Sequence, residues 1–299
     1  MNPLTVPTPK RESLSVVIAT IGNDNLRKTI DSVNTGTVVP DEIIICVPGT
    51  EFYRVTDLCY KNVRFCITNY RGQVAQRLAG YLEAKNSFVL QLDDDVCLDP
   101  TCIEKLLDTA LRLGAKVSVG PALMDLTTNY SIYARKKNFG HIHQFYIWVL
   151  NGRRGFAPGT ITRSGLNFGW DPDGSDTKIF SVDWIAGGCV LHRRENLVLE
   201  NFFPFKGKAY CEDLFHSQIL ISRGVALYID SDAKCFIRTN DNDNLHVIEF
   251  MKEIRSDFRA RKLLVKMNSL DLPRMYFYYA IRCIKYVAKS AFNLLNRFH

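Results

Sequence analysis

The chain has 299 residues, a formal net charge of +7, 46% apolar and 23% charged residues. This is the make-up of a soluble globular protein with one large α/β domain or two small ones, and it excludes a disordered, collagen-like or repeat-array chain. Five of the positive charges, Arg274, Arg282, Lys285, Lys289 and Arg297, fall between Pro273 and His299, where there is no acid. The basicity therefore belongs to the tail, and with no basic-aromatic RNA-binding motif present, nucleic acid is not an expected partner.

In chain order, Met1 to Glu12 carries Pro3, Pro7 and Pro9 without an apolar core. It reads as a mobile leader, neither a signal peptide nor a membrane span. Leu14 to Ala19 is a continuous apolar strand. After a polar loop, with Asp24 or Asn25 as the cap, Leu26, Ile30 and Val33 repeat at helical spacing. Strands follow at Glu42 to Val47, closed by Pro48-Gly49, and at Val63 to Ile67. Gly72 to Lys85 is a helix with Val74, Leu78, Tyr81 and Leu82 on one side, and Phe88 to Leu92 is a fourth, buried strand. Thr101 to Leu113 is a helix opened by Asp99-Pro100, and Ala115 to Val119 a fifth strand. Strands alternating with helices imply an α/β fold, a largely parallel twisted sheet with helices on both faces.

The rhythm stops after Gly120, and residues 121–178 mix aromatics, glycines and basics without a period. A loop that long in a compact domain is usually functional. Order returns with Ile179 to Ile185 and Gly187-Gly188. A helix at Glu212 to Arg223 and short strands at Ala226 to Ile229 and Ala233 to Ile237 come next. Val247, Phe250, Met251, Ile254, Phe258, Leu264 and Val265 then suggest a long amphipathic helix opening near Asp243 or Asn244.

Nine cysteines, an odd count without a CxxC pair, sit partly in apolar runs such as Ile45-Cys46-Val47. That excludes a zinc ribbon or disulfide framework and fits a reduced, cytoplasmic setting.

The most informative feature is the run Asp93-Asp94-Asp95 directly after the fourth strand. Three carboxylates at a strand end repel unless something positive joins them, and a hard divalent cation with a phosphate ligand answers that need. The plainer alternative is a solvated acidic turn, but Asp99-Pro100 already supplies the next helix start. Glu212-Asp213, taken by itself, reads as a favourable acidic first turn of a helix.

With these pieces in order, the chain resembles the family 2 glycosyltransferases. The matching stretches are Leu14-Ser15-Val16-Val17-Ile18-Ala19-Thr20, Leu26 to Val33, Gly72-Gln73-Val74-Ala75-Gln76-Arg77, Leu92-Asp93-Asp94-Asp95-Val96, Trp184-Ile185-Ala186-Gly187-Gly188-Cys189 and Glu212-Asp213-Leu214. The resemblance implies the GT-A fold, a Rossmann-like mixed, mostly parallel sheet with helices on both faces. Residues 13–245 would be the catalytic domain, with a nucleotide-sugar half (13–120) and an acceptor half (121–245), followed by C-terminal amphipathic helices (246–299). It implies that Asp93 and Asp95, with Asp94 between, hold Mg2+ or Mn2+ on the donor pyrophosphate. Thr20, Arg77, Gly187, Gly188 and Arg238 join the donor site, Asp213 is the catalytic base of an inverting transfer, and Glu212 orients it. Arg77 has a second reading as a solvated helix charge, and Trp184 can stack on a sugar or pack in the core. The chain departs from the family at Val47-Pro48-Gly49-Thr50-Glu51, where many members carry an Asp-Asp-Gly-Ser-like turn that reads the base. It also departs at Arg77-Leu78 in place of Arg-Asn, and at the absent histidine after Ala233, for which Arg238 or His246 would substitute.

From Pro273 onward, Arg274, Arg282, Lys285 and Lys289 fall within one helical arc and the apolar residues mostly elsewhere. This suits an interfacial helix on an anionic membrane surface, with packing on the domain or a second subunit as the alternative. The expected activity is transfer of a sugar from a nucleotide-diphospho-sugar to a glycan or lipid-linked acceptor in surface polysaccharide assembly. It would take place at the inner membrane face, by a peripheral protein and possible homo-oligomer. The rivals are a nucleotidyltransferase, whose glycine-rich, lysine-bearing loop is missing at Ile21-Gly22-Asn23-Asp24-Asn25, and a non-catalytic glycan- or nucleotide-binding module.

Overall fold

The structure is a computed structural model that describes residues 12–134, 140–152, 157–172, 177–205, 208–238 and 247–295. Four parallel strands, β1 (Leu14–Ala19), β2 (Glu42–Pro48), β3 (Val63–Thr68) and β4 (Phe88–Asp93), lie in the order β3-β2-β1-β4. Their apolar runs are continuous because both faces are covered. Ile43, Ile45 and Val47 join the core under α1 (Leu26–Asn34) and α3 (Cys102–Leu113), whereas Ile44 and Cys46 face α2 (Gln73–Glu83) on the other side. Chain order reverses between β1 and β4: β2 and β3 extend one way, β4 the other. In open α/β sheets such a switch point leaves a crevice beyond the strand ends. Ala19 is in register with Asp93, so Thr20 and Asp94 emerge side by side into it.

The sheet continues through β8 (Cys189–Arg193), antiparallel to both β4 and β6 (Val117–Asp125). Then come β9 (Ala226–Ile237), with β7 (Ile179–Val182) and the short β5 (Cys97–Leu98) paired to it. The two short strands expected at 226–229 and 233–237 are one strand. Its register against β6 jumps from Pro121↔Asp230 to Ala122↔Lys234, a bulge that breaks the alternation. The fifth strand also runs past Gly120 to Asp125, and the unreadable stretch holds a helix, α4 (His141–Asn151). Exposed Ile142, Phe145 and Trp148 hide its polar side from a periodicity count.

Other expectations shift in detail. The buried face of α2 is Val74, Gln76, Arg77, Gly80 and Tyr81, while Leu82 is exposed. The side chain of Asn25 makes no cap, and Asp99 Oδ1 instead accepts the Thr101 N–H, two residues into the turn, at 3.0 Å. Of the leader only Glu12 is described, and Asp243, Asn244 and His246 lie outside the described residues.

α5 (Glu212–Ser222), α6 (Val247–Met267) and α7 (Leu272–Leu295) complete the chain. α7 packs against α4 and α6, and its basic residues do not all face outward. Arg282 pairs with buried Asp257 at 3.0 Å, and the Tyr279 hydroxyl donates to the same carboxylate at 2.8 Å. Arg274 pairs with Asp271 and donates to the Val149 carbonyl, and Lys285 sits over the Tyr146 ring at 5.3 Å. The basic arc therefore spends part of its charge inside the fold. No helix among the described residues is long and apolar enough to cross a membrane.

Candidate active site

The crevice at the switch point is a cleft of about 540 Å³ lined by Thr20, Ile21, Arg71, Gly72, Gln73, Gln76, Asp94 and Lys208. That volume is in the range of small-ligand sites. Gln76, buried, fastens its floor: Nε2 donates to the Thr20 and Cys46 carbonyls at 2.8 Å each, and Oε1 accepts the Gly72 N–H at 3.1 Å. The ends of β1 and β2 and the start of α2 are thereby held as one unit. Gly72 has φ 152°, a backbone angle other residues avoid, which lets the loop turn into α2.

The aspartates are not equivalent. Asp93 Oδ1 accepts from Arg77 and, at 2.9 Å, from Gln73 Nε2. Asp94 accepts from the Thr20 hydroxyl, which in turn accepts the Gly22 N–H at 2.9 Å. Burial, then the charges of Asp95 and Asp93, push the Asp94 carboxyl up to about 6. Asp95 is raised by burial and then by Asp93. These are oxygen donors under mutual repulsion, a set suited to a hard divalent cation. Among the described residues no cluster of three or more His, Cys, Asp and Glu side chains encloses a metal position. Asp93 has one oxygen already committed to Arg77 and Gln73, which leaves Asp95 as the freer ligand.

Arg77 is not a solvated helix charge. It is 3% exposed and bridges two carboxylates from distant parts of the chain, Asp93 on β4 and Glu212 at 2.6 Å on α5. Its Nη2 also donates to the Gly187 carbonyl at 3.3 Å. Gln91 donates to that same carbonyl and receives the Tyr81 hydroxyl on its Oε1. A Cβ on Gly187 would lie 2.5 Å from Glu212 Oε1. The close approach that requires glycine here is thus to the Glu212 carboxylate. Gly188 is looser, with ordinary contacts to Val96 and Asp93, and its carbonyl accepts the Asp93 N–H at 2.9 Å.

α5 starts from strain. Cys211, a non-glycine residue at φ 60°, turns the chain so that Glu212 is buried and Asp213 half-buried. Its thiol donates to Asp257 at 3.4 Å, which ties the helix start to α6. Glu212 is raised by burial and pulled back by Arg77. For Asp213, burial and then the Glu212 charge push the carboxyl up to about 7, against the Leu214 N–H donated to it at 3.0 Å and the charge of Arg261. A carboxyl at about 7 divides between acid and base at neutral pH, the range a general base needs. Tyr133 adjoins it; burial and the Asp213 charge raise the phenol.

Trp184 is core: 3% exposed, it packs edge-on to Tyr133 at 5.9 Å and donates to the Phe168 carbonyl at 3.1 Å. It has no face free for a sugar. Arg238 is exposed one residue past β9. The last pair between β9 and β5 is Cys97↔Phe236, two residues before Arg238. The structure thus brings Thr20, Arg77, the three aspartates, Gly187, Gly188, Glu212 and Asp213 into one connected region, and no hydrogen bond or ion pair joins Arg238 to it among the described residues. Sequence reasoning missed Gln73, Gln76, Gln91, Arg71 and Lys208. Gln73 and Gln76 were within reach, since they lie in the motif that carries Arg77.

Residues 15–169, just over half of the chain, match the profile of Glycosyl transferase family 2. No curated protein matches the sequence. Among solved structures, GalNAc-T7 with UDP, GalNAc and Mn2+ superposes with a TM-score of 0.55 at 16% identity, covering 77% of this chain and 44% of that one. The chain therefore spans under half of that neighbour's length. The likeness is one of fold, and the mixed sheet described above is the GT-A architecture.

Proposed function

The chain belongs to glycosyl transferase family 2, and on that premise we propose that it moves a sugar from a nucleotide-diphospho-sugar to a hydroxyl of a glycan or lipid-linked acceptor, with inversion, in surface polysaccharide assembly at the inner membrane face. The observation that carries the reading is the Arg77 bridge. It joins the aspartate strand to the start of α5, where Asp213 is poised at about 7. The cleft over Thr20 and Gly72 would receive the nucleotide, with exposed Arg71 and Lys208 at its wall for the diphosphate. Asp95 and Asp93 would hold Mg2+ or Mn2+, and such an ion would supply positive charge to offset that of the departing diphosphate. The UDP and Mn2+ of the GalNAc-T7 neighbour favour both assignments.

The chain's own residues do the rest. Asp213 takes the proton from the acceptor hydroxyl, whose oxygen forms the new bond to the anomeric carbon as the bond to the diphosphate breaks. Arg77 holds both Glu212 and Asp93 in ion pairs, which keeps either from competing for that proton. The test is a thermal-shift panel of nucleoside diphosphates and nucleotide-sugars with and without Mn2+, followed by product analysis of the ligand that stabilises. A nucleoside diphosphate product supports transfer, and pyrophosphate would point to nucleotidyl transfer instead.

A further inference from the structure

The last two helices leave an apolar groove that neither the fold nor the proposed reaction uses. It has a volume of about 550 Å³ and is walled by Val247, Ile248, Met251 and Phe258 of α6 and by Tyr279 and Cys283 of α7. Val247, Ile248 and Met251 are 56% to 70% exposed, and Ile284 and Val287 continue the exposure along α7 at 62% and 64%. A contiguous apolar surface of this kind marks an interaction site.

The charged residues that line it are of one sign, though Glu249 is exposed elsewhere on α6. Lys252 and Arg255 line the groove, and no acidic residue among the described ones does. Both basic residues are exposed, unlike Arg274 and Arg282 of α7, which are half-buried in ion pairs. A second copy docked groove to groove would bring Lys252 and Arg255 to a lining that carries the same two basic residues and no acid among the described ones. An anionic headgroup layer presents the opposite charge, and the acyl boundary beneath it takes the apolar wall.

We propose that the α6–α7 groove docks on an anionic lipid bilayer, with Val247, Ile248 and Met251 entering the headgroup boundary and Lys252 and Arg255 meeting lipid phosphates. Its purpose, access to a lipid-linked acceptor, rests on the function proposed above, but the docking itself needs no turnover. Truncation of α7 is an unsuitable test. It would remove Tyr279 and Arg282 from Asp257, which also holds Cys211 at the start of α5.

Point variants serve instead, read by cosedimentation with vesicles of phosphatidylcholine alone or mixed with phosphatidylglycerol across a salt series. The wild-type protein should bind the anionic vesicles and lose them with salt. Lys252→Ala with Arg255→Ala should weaken that binding about thirtyfold, from about 1 kcal/mol per charge. Met251→Glu should abolish it. None of the three substitutions should alter donor-stabilised melting, which checks the fold and the distant cleft. Equal vesicle binding by wild type and all variants would overturn the proposal. So would absence of vesicle binding with a concentration-dependent dimer that Met251→Glu disperses, which would assign the groove to a second copy. Vesicle binding that follows the prediction in a protein that turns over no nucleotide-sugar would uphold the groove and sink the proposed function.

Discussion

Asp213→Asn should make the protein more stable and nearly inactive at once. Asp213 is the second residue of α5. A solvated carboxylate there would be favoured by the helix N-terminus, with its ionisation lowered and a contribution of about 0.3–1 kcal/mol. The structure gives the opposite: burial, then Glu212, raise the group to about 7 from 3.8. The folded state therefore holds the proton more tightly than the unfolded chain. That contribution is complete below about pH 4 and is lost as pH rises through about 7. By pH 8 the ionised, half-buried carboxylate costs up to about 4 kcal/mol, at about 1.4 kcal/mol per unit. Asparagine keeps the acceptor for the Leu214 N–H and removes the charge. Urea unfolding should then show the variant above wild type at pH 8, with the gap closing toward pH 4. Transfer should fall about 10²–10⁴-fold, the range for losing a general base. The wild-type rate should drop about tenfold per unit on the acid side of pH 7. A variant less stable than wild type at pH 8, or one that transfers sugar at the wild-type rate, would return Asp213 to the role of an ordinary acidic helix start.

Three further outcomes follow from the same geometry. Arg77→Met leaves Asp93 and Glu212 facing each other without their shared cation, so it should cost about 3–5 kcal/mol in chemical denaturation, and a second change, Glu212→Gln, should restore part of it. Gly187→Ala forces a methyl to within 2.5 Å of Glu212 Oε1 and should lower stability by about 1–3 kcal/mol, whereas Gly188→Ala, with nothing nearer than 3.5 Å, should melt close to wild type. Asp95→Ala should keep the fold and lose Mn2+-dependent donor affinity in calorimetry, and unchanged metal-dependent affinity would remove Asp95 from the ion's ligands.

The first half of the fold was readable because its strands are buried on both faces and its helices on one, so Val16 to Ile18 and Ile43 to Val47 read as apolar runs and Leu26, Ile30 and Val33 as a stripe. In the second half the helices at Glu212 and Val247 were readable, but the sheet obeys neither rule. β8 is a short antiparallel insertion that ends in His192 and Arg193, with His192 buried and bonded to Ser118 at 2.8 Å, so polarity hid a central strand. The bulge in β9 split one strand into two, and exposed aromatics concealed α4. The Asp93-Asp94-Asp95 and Glu212-Asp213 signatures are local and could be seen. What joins them could not, because Arg77 reaches partners 16 and 135 residues away, and a lone arginine on a helix looks solvated until the sheet is assembled. The tail's charge was legible, but its direction was not: Asp257, an unremarked acid within α6, draws Arg282 inward.

The most direct test is turnover itself. Purified protein is offered a panel of nucleotide-sugars with Mn2+ or Mg2+, and release of nucleoside diphosphate is followed with sugar transfer to a glycan or lipid-linked acceptor. One donor class should yield the diphosphate, EDTA should stop the reaction, and Asp213→Asn should bind that donor yet release almost none. Release at full rate in EDTA, pyrophosphate in place of the diphosphate, or no product from any donor would contradict the account.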